Sequence, residues 1–229
     1  MKRVFISDCE GPISRNDNAF ELTTHFVPNG DKLFTIISRY DDVLADILKR
    51  AGYNPGDTLK LILPFLKAYD VTDTRIRAFS SEHLVLVQGV KEALDYIRKI
   101  APSYIVSTSY GHYIEALCQA IGFPYENTYC TKLNLDRYQL SKQEKAKLQE
   151  TAREITRMPV IEIPVNARSL KDLPERDGKL IQRLDEVFSR KSRVQIAVEF
   201  SLKSTLWAAA KRQMLYAMWL RRMVSPWQM

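Results

Sequence analysis

The sequence predicts an α/β fold: a three-layer, Rossmann-like parallel sheet with a helical cap inserted after the first strand. Three observations carry that expectation. A short apolar run, Val4-Phe5-Ile6-Ser7, stops at the turn-forming Asp8-Cys9-Glu10-Gly11-Pro12. A second run, Tyr104-Ile105-Val106, stops at Ser107-Thr108-Ser109 and leads straight into a helical pattern. A long stretch of mostly helical pattern separates the two. Strands alternating with helices build a parallel sheet covered by helices. Ligands of such sheets bind at the carboxyl ends of the strands.

Strand one is expected over roughly 3–8. Helical pattern then runs from Ile13 to about Ser81, interrupted by Asn, Asp and Gly. Within it, Asp41 to Leu48 spaces its apolar residues for one buried face. Gly56-Asp57-Thr58 can cap a helix over Leu59–Tyr69, bent by Pro64. The next helix, Gly89 to Ile100, puts Val90, Ala93, Leu94, Ile97 and Ile100 on one side. After strand two, Ile114, Leu117, Cys118 and Ile121 form a stripe that stops at Gly122. Ser141-Lys142-Gln143-Glu144 is a capping box for a charged helix reaching about Ile155. Met158–Pro164 is read as a strand, and Ser169 as the start of a last helix with Leu180, Leu184, Val187 and Phe188 facing a core. These elements divide the chain into an α/β core (1–13 and 89–190), a cap (14–88) and a tail (191–229).

The chain has 229 residues, 45% apolar and 27% charged, ordinary values for a globular protein. Its three cysteines, Cys9, Cys118 and Cys130, are odd in number and form no C-x-x-C, which points to a reducing, cytoplasmic setting. No uncharged apolar run is long enough to span a bilayer. From Arg190 onward there are eight basic residues and one acid, which equals the chain's whole net charge of +7. The remainder is balanced, so nothing there favours nucleic acid as a partner.

Asp8 and Glu10 point the same way from an extended segment. A carboxylate nucleophile beside a second carboxyl that can pass protons is the minimum equipment for phosphoryl transfer through an aspartyl phosphate. Asp8-x-Glu10-Gly11 together with Ser107 resembles the first two motifs of the haloacid dehalogenase superfamily. The resemblance implies roles residue by residue. Asp8 would attack the phosphoryl group, Glu10 would protonate the leaving group, and Ser107 would hydrogen-bond a phosphoryl oxygen. Mg²⁺ would be the cofactor, held by Asp8 and the backbone carbonyl of Glu10. Most members of the superfamily carry Asp where this chain has Glu10. The segment 14–88 would be the cap, with Arg15, Asn18, Phe20 and Tyr40 as candidate pocket residues, and the substrate a small phosphorylated metabolite. Residues 5–22, 57–69, 105–118 and 123–136 are further similar to archaeal members named energy-converting hydrogenase A subunit R. That similarity implies an alternative: an inactive or accessory subunit associated with a hydrogenase complex.

Two expected motifs have no clear match. The superfamily needs a Lys or Arg against the phosphoryl charge, for which Lys179, Lys191 and Lys203 are candidates. It also needs a late strand ending in acids. Asp172, Glu175, Asp177, Asp185 and Glu186 instead fall at or within a predicted helix. Val194-Gln195-Ile196-Ala197-Val198 has strand character, but all three tryptophans and four of the six methionines follow it closely. The composition of that tail resembles an out-of-frame reading, which would make the chain a truncated form. A basic surface helix and a core-covering helix are the rival readings.

Overall fold

The computed structural model describes residues 3–50 and 56–188. The tail, with Val194–Val198, Lys191 and Lys203, lies outside them. The chain divides into two units. Among the described residues, unit 1 holds 3–16 and 83–133, and unit 2 holds the rest.

Unit 1 is a parallel sheet in the order β1-β2-β3, formed by β1 (Phe5–Ser7), β2 (Ser103–Tyr110) and β3 (Thr128–Thr131). In register, Phe5 faces Ser103, Ser7 faces Ile105, and Val106 faces Tyr129. Two helices of this unit, Val90–Ile100 and Gly111–Ile121, flank the sheet. The core between helices and sheet is one cluster containing Val90, Leu94, Ile105, Tyr113, Leu117 and Cys130. This is the Rossmann-like α/β architecture read from the sequence. Strand two is longer than expected. It continues past Val106 through an irregularity in its pairing with β3 and ends only at Tyr110.

The chain leaves and re-enters unit 1 by a shared device. Cys9 O accepts from both Ile13 N and Ser14 N (each 3.0 Å), closing a tight turn after β1. The outgoing residues then pair with the returning ones: Arg15 N donates to Val85 O, and Val87 N to Ile13 O, both at 2.9 Å. Asn16 locks the ribbon, with Nδ2 donating to His83 O (2.9 Å) and Oδ1 accepting from Val85 N (2.8 Å).

Unit 2 is helical. In chain order with the helices of unit 1, its elements are α1 (Asn18–Phe26), α2 (Gly30–Asp42), α3 (Thr58–Leu61), α4 (Leu63–Ala68) and α5 (Asp73–Glu82). The Val90–Ile100 and Gly111–Ile121 helices are α6 and α7. Unit 2 then continues with α8 (Lys142–Ile155) and α9 (Glu175–Phe188). The capping box of α8 forms as expected, Ser141 Oγ accepting from Glu144 N and Glu144 Oε2 from Ser141 N.

Several boundaries differ from the expectations. The helix placed at Asp41–Leu48 begins at Gly30 and finishes as a π turn over Val43–Ile47. The helix around Pro64 is two helices, because Pro64 takes the first turn of α4, where a missing N–H costs nothing. Met158–Pro164 is not a strand. One of its amides, Glu162 N, is held by the buried Asp177 carboxylate (2.8 Å) rather than by a ladder. Ser169 caps a 3₁₀ turn, Leu170–Asp172, and α9 starts at Glu175.

The domain division also differs. Residues 134–188 were expected in the α/β core, yet they join the helical unit. Asp73 at the start of α5 accepts from Leu135 N (2.9 Å) and Asp136 N (3.1 Å). Gln149 of α8 donates to Ala68 O (2.8 Å), and Phe188 of α9 stacks on Tyr40 with ring centres 5.6 Å apart. Buried polar and aromatic contacts of this kind hold the two sequence segments as one body.

Candidate active site

The candidate site is built on the carboxyl edge of unit 1. β1 delivers Asp8 immediately after Ser7, and neighbouring β2 delivers Ser107 two positions after Ile105, the partner of Ser7. Parallel pairing therefore places Asp8 just past the end of β1, level with Val106, and Ser107 one position further along the neighbouring β2. Asp8 is exposed, Cys9 fully buried and Glu10 half-buried, the alternation that an extended segment imposes. The two carboxylates are thus on the solvent side of a loop whose middle residue is anchored in the core.

The loop is held from below. Asp8 Oδ1 accepts from Cys9 N (2.6 Å), and Ser7 Oγ donates to Asp8 O (2.8 Å). Gly11 N donates to Ser14 O (2.7 Å), and Gly11 has φ of 98°, a left-handed value that favours glycine. A Cβ there would touch nothing, so the requirement lies in the backbone alone. Under the loop, fully buried Ser14 accepts from Tyr113 Oη (2.6 Å), which is also 3.3 Å from Asn16 Oδ1. Tyr113 belongs to α7, so the helix after β2 braces the loop after β1. Burial pushes the Cys9 thiol up to about 12, with smaller contributions in the same direction from the Glu10 and Asp8 charges, so Cys9 is a packing group and not a nucleophile. Ser14, Asn16 and Tyr113 were not singled out in the sequence. A Ser, an Asn and a Tyr far apart in the chain give no spacing signal.

Ser107 is buried, and its hydroxyl is already engaged. Its Oγ donates to Ser109 Oγ (3.0 Å) and accepts from Ser109 N (3.1 Å). A phosphoryl oxygen would receive the Ser107 proton in place of Ser109.

Most of the other candidates lie in unit 2, where their side chains are engaged in structural contacts. The Tyr40 ring is 1% exposed, and its hydroxyl donates to Asp185 Oδ1 (2.6 Å), where Arg50 also binds both carboxylate oxygens (2.7 and 2.9 Å). Asn18 is buried and donates to Ser80 Oγ (3.3 Å), and Phe20 packs edge-on to Phe34. Asp177 is fully buried between Arg176 Nε (2.8 Å) and Glu162 N. Burial alone would raise its carboxyl, but these partners hold it below the usual range. Asp172 caps its own turn, and Lys179 pairs with Glu175 at 2.9 Å. Arg15 stays in unit 1, exposed, on the connecting ribbon.

Among the described residues, no three His, Cys, Asp or Glu side chains gather as a metal-binding group. The donors the site does offer, the Asp8 carboxylate and the oxygens of Glu10, are hard oxygens. That chemistry suits Mg²⁺, which binds through one or two carboxylates and keeps several waters.

Fold and strand-edge geometry define a Rossmann-like α/β protein with an acidic loop at the carboxyl edge of its sheet. It is similar to the solved structure of gene product AF1437 from Archaeoglobus fulgidus, with 25% identity and a TM-score of 0.78. The match covers 98% of this chain and 64% of that one, so this chain spans less than two thirds of its length. No family model and no curated protein matches the chain. Among the described residues, no helix is long and apolar enough to cross a membrane.

Proposed function

We propose that the protein is a phosphohydrolase of the haloacid dehalogenase type, acting on a small phosphorylated metabolite. The observation that supports this reading is the parallel pairing of β1 with β2, which puts exposed Asp8 at the carboxyl end of β1 next to the strand that carries Ser107. Asp8 attacks phosphorus in line, forming an acyl phosphate as the bond to the leaving oxygen breaks. The Glu10 carboxyl gives that oxygen its proton. Water then attacks the phosphorus of the aspartyl phosphate. Glu10, now a carboxylate, takes the water's proton, and Asp8 and phosphate are released. Ser107 supplies a hydrogen bond to a phosphoryl oxygen, and the N–H groups after β1 can add others. The Asp8 carboxylate and the Glu10 carbonyl would hold Mg²⁺, which would supply positive charge to the phosphoryl group.

The test is hydrolysis of p-nitrophenyl phosphate or acetyl phosphate with Mg²⁺, comparing the natural chain with Asp8→Asn. The variant is expected to lose at least ~100-fold in kcat, the scale on which a covalent nucleophile matters. Equal rates for the two proteins would remove the enzyme reading. The accessory-subunit reading would then remain, to be checked by copurification with hydrogenase subunits.

A further inference from the structure

Helix α6 of unit 1 carries an apolar arc that its own core does not use up. Only Val90 and Leu94 of this helix are buried, and Ile97 is half-buried. At about 3.6 residues per turn, Ala93, Ile100 and Tyr96 continue the arc beyond Ile97 as one wing. All three are exposed, Tyr96 at 64% and Ile100 at 67%. Large apolar side chains one turn apart at that exposure form a patch, the mark of an interaction site. Glu92 and Lys99, two turns apart, line the far border of the wing. Both are exposed, and neither has an ion-pair partner among the described residues. Arg98, on the opposite side of the helix, is already engaged by Asp95 (3.8 Å) and by Gly122 O (2.8 Å).

We propose that this wing is the contact between two copies of the chain, α6 packing antiparallel on α6 of the second copy about a twofold axis at Tyr96. The charge pattern selects this occupant. An axis there sets Glu92 of each copy against Lys99 of the other, so both unpaired charges are matched at once. In the same register the small Ala93 of one copy faces the large Ile100 of the other, and the two Tyr96 rings meet at the axis. Parallel helices would instead oppose the charged border with the second copy's Ile97 side, leaving both charges unmatched. One helix of 11 residues from each copy makes a small interface, below about 1,200 Å² in total. Contacts of that size form and dissociate, so the dimer is concentration-dependent, with an affinity in the micromolar range. The inference is independent of the phosphohydrolase reading.

The test is sedimentation velocity on the full chain, from low micromolar to near-millimolar concentration. A reversible monomer–dimer equilibrium is expected. Ile100→Asp should abolish it while far-ultraviolet circular dichroism stays native, since that side chain is exposed. Should Ile100→Asp fail to fold, Tyr96→Glu serves instead. Glu92→Lys and Lys99→Glu should each weaken association by about tenfold, and the double variant should restore it, because the exchange recreates both pairs. A chain that stays monomeric throughout overturns the proposal. So does a dimer indifferent to Ile100→Asp and Tyr96→Glu, which would form elsewhere. A double variant no tighter than the single ones overturns the antiparallel pairing and with it the proposal. A monomer that binds phosphatidylglycerol vesicles, and loses them with Ile100→Asp, overturns it in favour of a membrane surface. The native cysteines are buried, so a fluorophore at Ile100→Cys reports on the wing alone. A monomer that shields this fluorophore from acrylamide overturns the proposal in favour of cover by the chain's own remaining residues.

Discussion

At the scale of single residues, burial decides which polar groups are reactive and which are props. Asp41 is the sharpest case. It is 1% exposed, and its Oδ2 accepts from Gly56 N, Thr58 N and Thr58 Oγ1 at 2.9–3.1 Å, while Oδ1 has no partner among the described residues. Burial pushes its carboxyl up to about 6, against the lowering effect of the Thr58 bonds. The folded state therefore holds the proton more tightly than the unfolded chain. The stability this contributes is full below the unfolded value near 4 and is lost as pH rises through about 6. Two pH units of difference are worth on the order of 3 kcal/mol. Urea unfolding between pH 4 and 7 should show the natural chain losing about that much more stability than Asp41→Asn. Parallel curves for the two proteins would refute the assignment. The same logic separates Cys9 from Asp8: adjacent in sequence, one faces the core and the other faces water.

At the scale of elements, local sequence signals agree with the structure where they are self-contained. The α8 capping box, the stripe of α7 and the start of α6 all depend on residues within a few positions of one another. A distant group overrides the local pattern elsewhere. Met158–Pro164 looks like a strand, but the Asp177 carboxylate takes one of its amides. The α1–α2 turn shows how a close approach constrains one residue. A Cβ on Gly30 would sit 1.9 Å from the backbone oxygen of Thr23. Neither helix can absorb that contact by a side-chain rotation, so Gly30→Ala must push α1 and α2 apart. The expected cost is about 3 kcal/mol, at the upper end for overpacking. Thermal unfolding within a degree of the natural protein would show that the helices separate freely.

At the scale of the whole molecule, the division into two units followed contacts rather than sequence order. Asp73 is the residue that most directly ties 134–188 to the helical insertion, since it accepts two backbone N–H groups across that junction. Asp73→Ala leaves Leu135 N without its acceptor in a buried setting, with a cost of about 2 kcal/mol. Hydrogen exchange should then quicken in α5 and at 134–137 together, while β2 amides in the other unit keep their protection. Faster exchange confined to α5 would show that the later segment does not share its stability. The candidate site is arranged at this scale as well. Asp8 and Ser107 were each visible as the end of an apolar run. Their placement on neighbouring strands came from pairing that no local pattern specifies.

By itself the sequence determined where the first two strands and helices such as α6, α7 and α8 fall, which acids follow a strand, and that charge and tryptophan collect in the tail. Those properties follow from periodicity and composition, which are local. Only the tertiary structure decided that Tyr113 and Asn16 brace the acidic loop, that Tyr40 and Asp177 are structural, and that 134–188 belongs with the helices. Each of those outcomes depends on a buried polar group finding its partner across many residues of chain, and the partner's identity is set by packing.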